Sequence, residues 1–270
     1  MTSMKRTLDH GRRELFIAAK NLSRRFHPAD PGARRFLFVA GVQRSGTNMM
    51  MDILEKSWIV DAYHERDPRA FDNYKMREQA VIDRLVEQSG FPVFAIKSLF
   101  ELQDLPELMA HFSPAKTLWI VRDVGDTVNS TLKSFSTNLV PRINRALKPD
   151  TTEWLGSGMS AATRELLRPL VHAQMRPEDA AAVQWYMRNV LFFEMGFDVR
   201  EEVLCISYEN LVTRPREQIR RFCDFAGIPF VDRMARGIFS SSIGKRRRPE
   251  LSPEVEGLCS ALHQRFRPLF

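Results

Sequence analysis

A chain of 270 residues with 44% hydrophobic and 10% aromatic content is long enough to bury one core, and it lacks the bias of disordered, fibrous or low-complexity sequences. Its formal charge of +7 is concentrated at the start, where residues 1–35 carry nine Lys/Arg against three Asp/Glu and leave the remainder nearly balanced. That distribution argues against a nucleic-acid-binding face spread over the globule; it leaves a basic N-terminal arm and the cluster Lys245-Arg246-Arg247-Arg248 to be explained.

Within residues 10–27, Leu15, Ala19, Leu22 and Phe26 fall at helical spacing, with Arg12, Arg13, Lys20, Arg24 and Arg25 around the same turns. The spacing predicts a basic amphipathic helix. The first expectation is that its apolar stripe packs on the domain, and the alternative is peripheral attachment to an anionic membrane surface. Residues 1–34 are thus set apart from a domain spanning 35–270.

From Arg35 onward, short apolar runs at 36–40, 93–96, 118–121 and 203–206 alternate with helical stretches at 45–57, 74–88, 101–111, 123–134, 178–195, 215–226 and 253–266. This alternation predicts a single α/β domain with a central parallel sheet flanked by helices. Residues 135–177, which include Asn138, Pro141, Pro149, Gly156 and Gly158, break the pattern and read as an insertion over the mouth of the sheet, a substrate loop or lid. Cys205, Cys223 and Cys259 lack the paired spacing of a zinc or redox motif and read as buried hydrophobes in a reducing compartment. No apolar run reaches the ~18 residues of a membrane span, and charges stand where a secretory signal has its apolar core, so a soluble cytoplasmic protein, membrane-associated at most through its first helix, is expected.

The first apolar run leads directly into Gly41-Val42-Gln43-Arg44-Ser45-Gly46-Thr47-Asn48 and then a helix-forming stretch. Strand, glycine turn and helix in this order aim backbone N–H groups and a positive helix end at one point, an anion site. The spacing from Gly41 to Gly46 matches a nucleotide-triphosphate loop, but Thr47 and Asn48 occupy the places of its Lys and magnesium-holding Ser/Thr. The cation sits inside the loop at Arg44. A transferred group carrying less charge than a γ-phosphate, such as a sulfuryl group, suits that arrangement.

Arg44-Ser45-Gly46-Thr47 after a strand resembles the 5′-phosphosulfate loop of sulfotransferases that use 3′-phosphoadenylyl sulfate (PAPS). Arg122-Asp123-Val124-Gly125-Asp126 with Ser130, leaving the 118–121 run, resembles the block by which that family grips the 3′-phosphate. Ala95-Ile96-Lys97-Ser98, Ser207-Tyr208-Glu209-Asn210-Leu211 with Pro215, and residues 222–229 extend the likeness to roughly residues 35–250. Three positions depart from the pattern. Val124 replaces a proline, Asn48 replaces a second threonine, and Met49 stands where some members set a tryptophan against adenine, which leaves Tyr208 as the substitute for that packing.

The resemblance implies PAPS as donor, adenosine 3′,5′-bisphosphate (PAP) as product, no metal, and as acceptor a hydroxyl or amine of a carbohydrate, lipid or small molecule. It further implies that Ser45, Gly46, Thr47 and Asn48 hold the 5′-phosphate. Arg44 would contact the transferring group, Lys97 the leaving bridge oxygen, and Arg122 with Ser130 the 3′-phosphate, covered by Lys245, Arg246 and Arg247. An acceptor must lose a proton as it attacks sulfur, and Tyr63-His64-Glu65-Arg66 supplies the cluster of candidate bases near the loop. The resemblance, to a family several of whose branches use a glutamate after the second strand, makes Glu65 the first choice of base and His64 the second. His111, His172, His263, Trp185 and Asn189 are expected to be structural. Two other classes remain open: a nucleotide-triphosphate-dependent transferase or kinase, and a non-catalytic protein that binds membrane surfaces or polyanions.

Overall fold

The computed structural model describes residues 3–135, 139–241 and 243–270. In chain order these form α1 (Ser3–Phe26), β1 (Arg35–Gly41), α2 (Thr47–Glu55), β2 (Val60–Tyr63), β3 (Phe71–Asp72), β4 (Lys75–Met76), α3 (Gln79–Gln88), β5 (Val93–Ser98), α4 (Leu105–His111) and β6 (Ala115–Val121). Then follow α5 (Val124–Ser134), α6 (Val140–Ala146), α7 (Ala161–Leu167), α8 (Pro177–Glu194), β7 (Val203–Ser207), α9 (Tyr208–Thr213), α10 (Pro215–Ala226) and α11 (Pro253–Phe266).

β2, β5, β1, β6 and β7 pair in that order, all parallel, into one five-stranded sheet. Because successive side chains leave opposite faces of a strand, β1 sends Phe38 and Ala40 to one side and Leu37 and Val39 to the other, and each side seeds its own apolar core. The first core takes Trp119 and Val121 from β6 and is closed by α5, α8 and α11; the second takes Leu118 and Ile120 and is closed by α2, α9 and α10. α8 is buried along nearly its whole length, and its Trp185 indole N–H donates to the Arg122 carbonyl at 3.0 Å, fixing the end of β6. This order sends β2 and β5 to one side of β1 and β6 and β7 to the other, so the carboxyl ends of the strands flank a crevice at β1, where open α/β sheets bind their ligands.

Four of the strands follow the expected apolar runs, and β2 is a fifth that periodicity missed, since Asp61 interrupts its short apolar run. The helix expected over 74–88 begins only at Gln79. Asn73 and Tyr74 take left-handed conformations (φ 48° and 66°) and turn the β3–β4 hairpin, which holds residues 75–76 out of the helix. Pro106 lies in the first turn of α4, so the 101–111 stretch splits into a 3₁₀ turn and a shorter helix. All three cysteines are buried and burial pushes their thiols up. Among the described residues no helix is long and apolar enough to cross a membrane.

The 135–177 insertion, apart from residues 136–138 with Asn138, which lie outside the described residues, holds α6, α7 and two 3₁₀ turns. It is tied to the sheet end by Arg188 of α8, which is 1% exposed. That guanidinium donates to the carbonyls of Leu99, Phe100, Trp154 and Ser157 and to the Gln103 side-chain oxygen, so one fork clamps the loop after β5 to the insertion. Arg188→Met keeps the apolar stem and strands those carbonyls. It is expected to lower stability by at least about 3 kcal/mol in urea unfolding, since each buried acceptor left unpaired costs roughly 1 to 3 kcal/mol and the loss of a buried charge offsets part of the sum; an unchanged midpoint would contradict the clamp.

Candidate active site

The loop between β1 and α2 is shaped by two close approaches. At Gly41 (φ 142°) a Cβ would stand 2.5 Å from the Ile120 carbonyl oxygen, and at Gly46 (φ 97°) it would stand 2.3 Å from the Tyr208 ring. Both contacts need glycine, and together they press the loop between β6 and α9. Ser45 donates its N–H to the Val42 carbonyl, is fully buried and is not among the residues lining the cleft. Gly46, Thr47 and Asn48 do line it, at the start of α2, where the first N–H groups of a helix lack intrahelical partners.

Arg44 has a left-handed backbone (φ 72°), and its side chain crosses to α5, donating from Nε to Ser130 Oγ at 2.9 Å. Arg122, 8% exposed at the end of β6, donates to the Arg44 carbonyl at 3.2 Å and lies over the Tyr208 ring at 4.4 Å. Arg44, Arg122 and Ser130 therefore converge, which draws Arg44 toward the group expected to hold a 3′-phosphate. Tyr208, 6% exposed, lines the cleft with the Arg122 guanidinium over its ring and Gly46 packed against it.

The other half of the site centres on Lys97. Its ammonium, 1% exposed at the end of β5, donates to Glu65 Oε2 at 2.6 Å and to Asn48 Oδ1 at 2.5 Å. Burial lowers its pKa, the Glu65 carboxylate opposes this, and the nearby cations Arg44 and Arg66 add to the lowering. Glu65 faces the cleft. His64 does not line it and instead faces Glu55 Oε1 at 3.6 Å, with Arg13 of α1 on the same carboxylate. Among the described residues, Asp52, Glu55 and His64 form the one close group of three metal-ligand types, and it lies outside the cleft with Arg13 bound to it.

The cleft holds about 860 Å³ and is lined by eight Lys/Arg and two carboxylates, Glu65 and Asp126. The basic turn closes one side. The Gly244 N–H donates to Asp126 and the Asn129 amide to the Arg247 carbonyl, which sets Lys245 and Arg246 on the lining. Arg247, expected to cover the ligand as well, turns its guanidinium outward to Glu250. Part of the wall is aromatic, with Tyr74, Phe135 and the Phe100–Trp154 pair at 4.5 Å.

A sequence model described as the Sulfotransferase family matches residues 55–232. The chain belongs to the sulfotransferase family. Its fold is similar to that of the sulfotransferase domain from the curacin biosynthetic pathway (TM-score 0.53, 14% identity, 85% of this chain and 98% of that one). It is also similar to the sulfotransferase domain of the Synechococcus PCC 7002 olefin synthase (TM-score 0.50, 13% identity, 85% of this chain and 94% of that one). No curated protein sequence matches this chain significantly.

Of the residues expected to be structural, His111 bonds Asp83, Trp185 is buried, and the Asn189 amide donates to the Trp185 carbonyl, and none of the three lines the cleft. Sequence reading missed the aromatic wall, the Asp126 and Asn129 tethers and Arg188, because each depends on contacts between segments far apart in the chain. Beside the cleft, burial raises the Glu55 carboxyl, but His64 and Arg13 outweigh it and hold its pKa down to about 2 from 4.5. A depressed carboxylate adds stability above the unfolded pKa and loses it as pH falls through the folded one. Glu55→Gln is thus expected to cost about 1 to 2 kcal/mol at pH 7, allowing for solvent screening, and progressively less from pH 4.5 toward 2. Urea unfolding of both proteins across that range checks it, and a cost independent of pH would contradict it.

Proposed function

We propose that this sulfotransferase moves a sulfuryl group from PAPS to a hydroxyl or amine of an acceptor. The observation that carries the reading is the placing of two cationic groups on either side of one phosphate-type loop, Arg44–Ser130–Arg122 and Lys97–Glu65. The donor carries two separated anionic groups, and the cleft's excess of cations suits both. Arg122 and Ser130, with Lys245 and Arg246 above them, hold the 3′-phosphate; Gly46, Thr47 and Asn48 hold the 5′-phosphate through the start of α2.

The acceptor enters along the aromatic wall, within reach of Glu65. The acceptor O–H or N–H gives its proton to the Glu65 carboxylate while its heteroatom bonds to sulfur. The bond between sulfur and the 5′-phosphate oxygen breaks, and PAP leaves with that electron pair. Lys97, already buried beside Glu65, neutralises the charge gathering on the leaving oxygen, and Arg44 spans the two groups. His64 takes no part, because it faces Glu55 outside the cleft.

Arg122→Ala is expected to weaken PAP by about 1.5 to 3 kcal/mol while leaving adenosine 5′-monophosphate nearly unaffected, as for loss of a charged hydrogen bond. Calorimetric titration of both ligands tests this, and equal losses would defeat the 3′-phosphate assignment. Glu65→Gln keeps the shape and removes the basicity, so it should bind PAP normally and lower sulfuryl transfer by about 10² to 10⁴. Near-normal turnover in that variant, measured with radiolabelled PAPS, would remove Glu65 from the role.

A further inference from the structure

Leu15, Ala19, Leu22 and Phe26, the apolar stripe of α1, do not pack on the domain: all four are exposed, Leu15 by 73%, Leu22 by 57% and Phe26 by 71%. The domain is met by the opposite, largely polar side of the helix. Lys20, 3% exposed, donates to the carbonyls of Glu55 at 3.1 Å and Val60 at 2.9 Å. Arg13 binds the Glu55 carboxylate, and Phe16 sits edge-on to Trp58 at 4.9 Å, with the Arg233 guanidinium 4.3 Å from its ring centre. A buried ammonium set between two carbonyls cannot be rolled into solvent without stranding them, so these contacts fix the helix with its stripe outward.

We propose that α1 docks on an anionic lipid bilayer through Leu15, Ala19, Leu22 and Phe26. The charge around the stripe selects this occupant. At about 100° per residue, Arg12 lies roughly 50° to one side of the stripe and Arg25 roughly 90° to the other, both exposed. Apolar residues between flanking arginines match a helix lying in the plane of a membrane, with its rings and aliphatic chains below the headgroups and its guanidinium groups among the phosphates. A second copy of the chain is a poor match, since pairing two such stripes would bring like-charged flanks together.

The test is cosedimentation of the full chain with vesicles of phosphatidylcholine, with and without phosphatidylserine, alongside light scattering of the free protein. The wild type is expected to sediment with the phosphatidylserine vesicles, and Leu15→Ser/Leu22→Ser/Phe26→Ser to lose at least about tenfold in partitioning at an unchanged thermal midpoint. Arg12→Ser/Arg25→Ser, a second variant at exposed sites, should lose the preference for the anionic vesicles. The proposal is overturned if the wild type ignores both vesicle types, which would leave an acidic protein as the partner of the stripe. It is overturned equally if neither variant changes partitioning, or if the wild type is a dimer that the triple substitution converts to monomer.

Discussion

A charged amine taken out of water must be met by acceptors, and Lys97 at the end of β5 is met by two from other elements. Asn48 comes from the first turn of α2 and Glu65 from the segment after β2, so one buried ammonium sets the phosphate-type loop, the central sheet and the candidate base relative to one another. The parallel sheet makes this meeting possible. β1, β5 and β6 all end on the same side, and their last residues deliver the loop, Lys97 and Arg122 to one crevice. Around that crevice the chain gathers far more cations than acids, a surplus that an anionic ligand neutralises.

The other half of the site is held by backbone carbonyls as much as by opposite charges. Arg122 reaches the Arg44 carbonyl, Trp185 holds the Arg122 carbonyl, and Arg188 binds four carbonyls of the surrounding loops. Neutral acceptors orient a guanidinium without cancelling its charge, so these contacts position the walls and leave the positive field in place. Asp126 adds a carboxylate near Arg122, and its use is visible in the Gly244 N–H that it holds, which brings the basic turn over the cleft.

Much of this was legible in the sequence where the signal is local. Apolar runs placed four strands, and the order of strand, Gly41, Gly46 and helix placed the loop; Arg122 and Ser130, singled out together, do meet at Arg44. Lys97 and Glu65 were each recognisable, though not that they meet. What stayed hidden depends on long-range packing. β2 is broken by a polar residue at a sheet edge, the β3–β4 turn uses Asn73 and Tyr74 without a glycine, and Tyr208 lies under a guanidinium that periodicity cannot place. The stripe of α1 was read correctly as a stripe, but its direction depends on Lys20 finding the Glu55 and Val60 carbonyls.

On the proposed function, the loop and its flanking cations take a 3′-phosphorylated adenosine donor and not a nucleoside triphosphate. Thr47 and Asn48 in place of the triphosphate loop's Lys and Ser/Thr are the residues on which it turns. Calorimetric titration of the full chain with PAP and with ATP, each in the presence and absence of magnesium, measures it directly. The account predicts tight binding of PAP that magnesium does not change and much weaker binding of ATP under both conditions; magnesium-dependent binding of ATP that exceeds that of PAP would contradict it.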